Sequence, residues 1–395
     1  MREPPKSSPI RGFVSLNNWL LIYNYKMMEK STTGTGEGKQ RSQSAKKKKR
    51  RNHSNAFNRC PGLKELTEEL KERDPKKAEE YAKMLDKSST IVVTTHVRKC
   101  HDPIRGHKVV MKAHGPEFNY KGQESMRTAI SKASQLKHLQ AYADNIVKVR
   151  EITPVTVGEE PYTRTYFISV EEDYGLDFSE YLKFQKAPLS EEELFSYMYQ
   201  SVRGLALLNF LGIIHSDVKS NNLILVNHNR SLKRRVIKVI DFDVSRTVLT
   251  TSASLDNKGT YKYMSLEKGV AMKKGRGYHF DFKSDAWSLG YVFLQMLLAG
   301  CGPEGKERIY IDELKEVSPS VPLNFEKAFF ELFWKKALRI LNKARPDAMF
   351  AFQLQWLTMK GLLVVDPKER LDMFSALKFL KDLASGKFLS VGELN

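Results

Sequence analysis

An α+β architecture is what this 395-residue sequence predicts, with strands gathered in its first half and helices dominating its second. Three observations carry that reading. The segments STIVVTTHVRKCHDPIRGHKVVMK (89–112) and TYFISVEEDYG (165–175) are short β-branched or alternating runs, the first broken by an Arg105-Gly106 turn. Ser190 with Glu193 forms a capping box ahead of a helical stripe of Leu194, Met198, Val202, Leu205 and Leu208. Residues 286–299 are apolar nearly all round, as a buried helix is, and too few to cross a membrane.

Taken in order, the chain opens with a basic extension, residues 1–60, which holds +11 of the net charge of +19. Its apolar part, 12–28, is interrupted by Asn17, Asn18 and Asn24 and falls short of the roughly 20 residues of a membrane span, so no span is expected. Residues 31–59 are rich in Ser, Gly, Lys and Arg and read as disordered. The GTGEG at 34–38 has neither a strand before it nor an apolar helix after it, which excludes a phosphate loop. The run KKKKRR, from Lys46 through Arg51, suits a nuclear-import receptor and suggests a nuclear or cytoplasmic protein. Nucleic acid is the lesser expectation, because no stacking aromatics are interleaved with the charge. Three cysteines, Cys60, Cys100 and Cys301, give no disulfide framework. The His96, Cys100, His101, His107 and His114 group matches no zinc spacing and reads as a strand edge. Residues 61–87 form a helical extension: Leu63, Leu66 and Leu70 share a face, Asp74-Pro75 starts the next helix, and Tyr81, Met84 and Leu85 give it a stripe.

Chemistry concentrates in IIHSDVKSNNLIL, 213–225, a polar loop between the long helix and an apolar strand, with a second apolar strand ending at Asp241. Phosphoryl transfer needs a carboxylate to accept the hydroxyl proton, a cation on the migrating phosphate, and oxygen ligands for magnesium. Asp217, Lys219, Asn222 and Asp241 are those residue types. Downstream follow GTYKYMSLE (259–267), SDAWSLG (284–290) and DPKER (366–370). Together with HSDVKSNN and DFD, these segments resemble the eukaryotic protein kinases, whose catalytic loop reads HRDxKxxN and whose metal loop reads DFG.

That resemblance implies a bilobal protein kinase fold over residues 88–386, with a small antiparallel-sheet lobe carrying a C-helix, a larger helical lobe, and a short tail at 387–395. It implies a serine/threonine protein kinase using ATP and Mg2+ on a protein substrate: Asp217 the catalytic base, Lys219 on the γ-phosphate, Asn222 and Asp241 on the metal. Lys112, in the VVMK strand, would hold the α and β phosphates. Val97 and Leu225 would also bind the nucleotide, whose adenine edge would meet the backbone from Glu171 to Asp173, with Val170 as gatekeeper. Asp285 would hold the catalytic loop, and Glu267 would pair with Arg370.

Departures from the pattern are clear. Thr90, Val92 and Thr95 stand where glycines would let backbone N–H groups close on phosphates. The C-helix Glu, counted near Lys132 or Ser134, is missing, and Asp241 is the expected substitute partner for Lys112. Ser216 replaces the Arg that would receive an activating phosphate, so activity is expected to be independent of one, although Thr247, Thr250, Thr251, Ser252 and Ser254 are present. Asp243 replaces the glycine of DFG and is either a turn residue or a second metal carboxylate. The alternative to catalysis is a pseudokinase, a scaffold that presents the same lobes to a partner.

Overall fold

The computed structural model describes residues 60–86, 91–159, 162–172, 175–227, 235–248, 259–273, 281–302, 335–344, 349–364 and 366–387. The basic extension with its 46–51 run, Asp173, the segment bearing Thr250 to Ser254 and the tail beyond residue 387 lie outside them.

The small lobe is a five-stranded sheet of β1 (Ile91–Val92), β2 (Val97–His101), β3 (Lys108–His114), β4 (Val149–Val157) and β5 (Arg164–Glu172), in the order β1-β2-β3-β5-β4. Neighbouring strands are antiparallel throughout. The Arg105-Gly106 turn forms as expected: Gly106 takes φ 70°, and Asp102 Oδ1 accepts from the N–H groups of Ile104 and Arg105.

Alternation gives this sheet two unlike faces. Val109, Met111, Ile168 and Val170 point outward and pack with the two extension helices, Leu63–Leu70 and Pro75–Met84. Leu63, Leu66, Tyr81 and Met84 are fully buried there, so these helices are part of the small-lobe core. Asp74 caps the second helix through the Lys77 N–H, with Pro75 in its first turn. The opposite face of the sheet carries Lys112, flanked by Val97 on β2 and Ser169 on β5.

The C-helix, Tyr120–Gln135, buries Met126, Ile130 and Ala133 in the core of the large lobe. That lobe is built on the helix Glu191–Phe210, started by the Ser190–Glu193 capping box, and on Phe282–Leu298, which is buried along its length after the Asp281 cap. Two small sheets close over them: β6 (Leu176–Asp177), β8 (Leu223–Asn227) and β9 (Arg235–Val239) in the order β6-β8-β9, and β7 (Ile213–Ile214) with β10 (Arg246–Thr247). Helices Leu266–Lys273, Lys335–Ala344, Met349–Trp356 and Met373–Ala384 complete the lobe. No described helix is long and apolar enough to cross a membrane.

Candidate active site

The segment between β7 and β8 brings the sequence-predicted polar residues together. The Asp217 carboxylate is held from three sides: Lys219 Nζ at 2.6 Å, the Thr260 backbone N–H at 2.8 Å and Asn222 Nδ2 at 3.3 Å. Lys219 also donates to Thr260 Oγ1 at 3.0 Å, which ties the GTYKYMSLE segment to the loop. Gly259 reaches this close packing at φ 116°, where an added Cβ would come within 3.2 Å of the Ser216 carbonyl.

Beneath the loop, buried Asp285 accepts the backbone N–H groups of His215 and Ser216 at 2.7 and 2.9 Å. Burial pushes its carboxyl above the usual range, opposed by His215 and those two N–H groups. The His215 ring is fully buried, and its Nε2 donates to the Ile240 carbonyl at 3.0 Å, so the proton sits on that nitrogen. Ser216, where an Arg would receive a phosphate, takes φ 68° and meets Lys268 instead, whose Nζ donates to its carbonyl at 3.4 Å. Burial lowers the Lys268 pKa, with Asp285 and Asp217 pulling it back up. Glu267 accepts both guanidinium nitrogens of Arg370 at 2.8 and 3.1 Å, as expected; the Arg370 guanidinium also lies over Trp287.

Asp241 sits beside this loop because the Ile240 N–H donates to the Asn222 carbonyl at 3.0 Å. It takes φ 70°, a conformation uncommon for a residue with a Cβ and concentrated at functional sites. Phe242 is buried against Met126 and Ile130 of the C-helix, and Gln123 of that helix donates to its carbonyl. Asp243 lies near Lys112 as Asp241 does, but its direct partner is different: its carboxylate pairs with His114 at 3.3 Å, and His114 also meets Ser169 Oγ at 2.8 Å. Of the two roles expected for Asp243, this geometry favours a fixed turn residue. Burial would raise its pKa, but the His114 bond and the Lys112 charge outweigh that and lower it.

Two expectations for the sheet are corrected. Val170, expected as gatekeeper, is fully buried in the outer core with the extension helices. Glu171, expected to offer its backbone to adenine, lies between β3 and β4 and turns its side chain to Lys112, 2.8 Å away. Asp241, expected to be the partner of Lys112, is the more distant counter-ion at 3.4 Å. Burial disfavours the Lys112 ammonium, yet Glu171, then Asp241 and Asp243, raise its pKa. Glu171 in turn is raised by burial, with Lys112 pulling only part of it back.

The C-helix position also shifts. Its buried polar residue is Gln123 in the first turn, whereas Lys132 and Ser134, the positions counted from the sequence, lie in the last turn. Glu124, the helix's acid, binds Arg127. At β1–β2, the Thr94 hydroxyl accepts from the N–H groups of His96 and Val97, and the Thr95 carbonyl accepts the Leu63 N–H from the extension helix. Val97 lies opposite Lys112 and so shares its face of the sheet, while Leu225 is buried at β8 opposite Leu176.

Hard oxygen donors are what magnesium requires, and the residues present fit it. The Asp241 side chain is one-third exposed, and Asn222 uses its amide N–H groups on the Asp217 carbonyl and carboxylate, so its amide oxygen is the atom it would offer a cation. Two polar groups result, Lys112 with Glu171 and Asp241, and Asp217 with Lys219 and Asn222, joined through the backbone by the Ile240 N–H on the Asn222 carbonyl.

Residues 93–379 match the protein kinase domain. The chain is 28% identical over 203 residues to the serine/threonine-protein kinase unc-51 of Caenorhabditis elegans, covering 49% of this chain and 21% of that protein. It is 41% identical over 124 residues to mitogen-activated protein kinase kinase 2 of Arabidopsis thaliana, 31% of this chain and 30% of the relative. With mitogen-activated protein kinase 12 of Danio rerio it shares 27% over 259 residues, 62% of this chain and 64% of the other. The chain thus spans less than two thirds of each of these relatives. With most of its length matching one domain and both lobes formed, this chain belongs to the protein kinase family.

Proposed function

We propose that the protein is a serine/threonine protein kinase that transfers the γ-phosphoryl group of ATP to a protein hydroxyl. The observation that carries this reading is the set of bonds on Asp217: one carboxylate oxygen takes Lys219 and Asn222, the other takes the Thr260 N–H. Asp217 is thereby aimed beside Lys219, placed to accept the proton of an incoming hydroxyl. Lys219 faces the migrating phosphoryl group and Lys112 the other phosphates. Asn222 and Asp241 would hold magnesium, which supplies charge neutralisation across the triphosphate when bound. The large-lobe side chains of Asp217, Lys219, Asn222 and Asp241 sit on backbone held by Asp285, His215 and the Asn222 carbonyl, so little reorganisation is needed during transfer.

Phosphate transfer from labelled Mg·ATP to a basic protein and to the chain itself tests the proposal. Asp217→Asn should lower the rate by about 10²–10⁴. The second reading, a scaffold, is favoured by one observation: the β1–β2 turn is closed by a Thr94 side chain and tied outward to Leu63, so it does not offer a glycine cradle. No transfer, together with no Mg·ATP-dependent rise in melting temperature, would select the scaffold. Nuclear residence through residues 46–51 belongs to the same proposal, and replacing that run with alanines should shift the protein toward the cytoplasm.

A further inference from the structure

We propose that Glu171 is the residue that positions Lys112, so that the lysine is anchored within its own sheet and not to the C-helix. The inference rests on the reading of Lys112 as the phosphate-binding lysine. Strand register produces the pair. Lys112 of β3 lies opposite Ser169 of β5, and Glu171, two residues further on, is its diagonal neighbour on the same face. The gap is 2.8 Å, and the side chains are only 12% and 6% exposed, so neither can turn into solvent without depriving the other, still buried, of its nearer partner.

No other acid near Lys112 does this work as well. Asp241 is 3.4 Å away and one-third exposed, and under the proposed function it is committed to metal. Asp243 is taken by His114. The C-helix offers one acid, Glu124, and Arg127 holds it. Where the helix does touch the site, it does so through Gln123, which donates to the Phe242 carbonyl. The helix therefore reaches the site through Phe242, while the nearer hold on the lysine comes from β5, with Asp241 its second contact at 3.4 Å.

The test follows the lysine itself, without using catalysis. In the full-length protein, the pH dependence of Lys112 acylation by an amine-reactive ester is read by mass spectrometry for the wild type, Glu171→Gln and Glu124→Gln. Glu171→Gln should increase Lys112 labelling at fixed pH by about tenfold for each unit its pKa falls, and Glu124→Gln should leave the profile unchanged. An unchanged profile in Glu171→Gln, or a shift in Glu124→Gln equal to it, overturns the proposal. Should Glu171→Gln fold poorly, the melting temperatures of Lys112→Met, Glu171→Gln and the double variant decide instead. A double variant that loses less than the sum of the two single losses supports the pair, and strict additivity overturns it. Because labelling and melting need no phosphoryl transfer, an inactive wild type would count against the kinase reading alone.

Discussion

The two lobes hold their functional side chains by different means. In the large lobe the loop at Asp217 is fixed by bonds to residues that its own motifs supply: Asp285 below, Thr260 beside it, and the Glu267–Arg370 pair at the base. In the small lobe the expected supports are absent, and unrelated residues stand in. Glu171 replaces a C-helix acid, the Thr94 side chain closes the turn where glycines would stand, and two extension helices cover the sheet's outer face. The contrast teaches that two sides of one fold can be held by different kinds of contact. What the large lobe secures with loop-to-helix hydrogen bonds, the small lobe secures with strand register and burial.

The largest expected effect tests the large lobe. Arg370 is 1% exposed and donates to Glu267, Val364 and Lys283, so Arg370→Met leaves a carboxylate and two carbonyls short of partners. A loss of about 3–5 kcal/mol in denaturant unfolding is expected. A loss below about 1 kcal/mol, within the range of exposed ion pairs, would mean that the base of this lobe is held otherwise.

Next comes the small lobe's substitute core. Leu66 on the first extension helix is fully buried against the sheet, and Leu66→Ala should cost about 2–5 kcal/mol by the same measurement. An unchanged midpoint would show the extension to be an appendage and would break the comparison.

The smallest effect is pH-dependent. Asp102 is fully buried in the β2–β3 turn; burial would raise its carboxyl pKa, but the N–H groups of Arg105 and Ile104 and the Arg150 guanidinium hold it below its ordinary value. The folded state therefore binds fewer protons than the unfolded state as the pH falls past the unfolded value, near about 4. Stability from Asp102 is complete above that value and is lost as the pH falls through the lower folded one. Asp102→Asn should cost about 1–3 kcal/mol at pH 7, and the difference from the wild type should narrow in melts below about pH 4. A gap that stays constant with pH would show that the carboxylate's charge does not hold this turn.

Much of this was legible from residues adjacent in the chain. Asp74-Pro75, Ser190 with Glu193 and Arg105-Gly106 each form the cap or turn their local chemistry dictates. The polar set at 213–225 was also readable, because Asp217, Lys219 and Asn222 are close in sequence and meet within one loop. Glu171 was not, though a signal existed. In TYFISVEEDYG, the apolar Ile168 and Val170 mark one face, which places Ser169 and Glu171 on the other. Counting from the turn instead of from that alternation put Val170 at the gatekeeper. Gln123 was missed for a related reason: the start of the C-helix is set by the Asn119 cap, and counting along the chain placed the key turn near Lys132.

By itself, the sequence determined the two kinds of lobe, the helices with their caps, and the identity of the loop residues proposed to carry the chemistry, because each depends on neighbours within a few positions. Only the tertiary structure decided which acid meets Lys112 and which residue of the C-helix reaches Phe242. Those pairings join segments about 60 and 120 residues apart, and along a strand a shift of one residue turns every side chain to the opposite face.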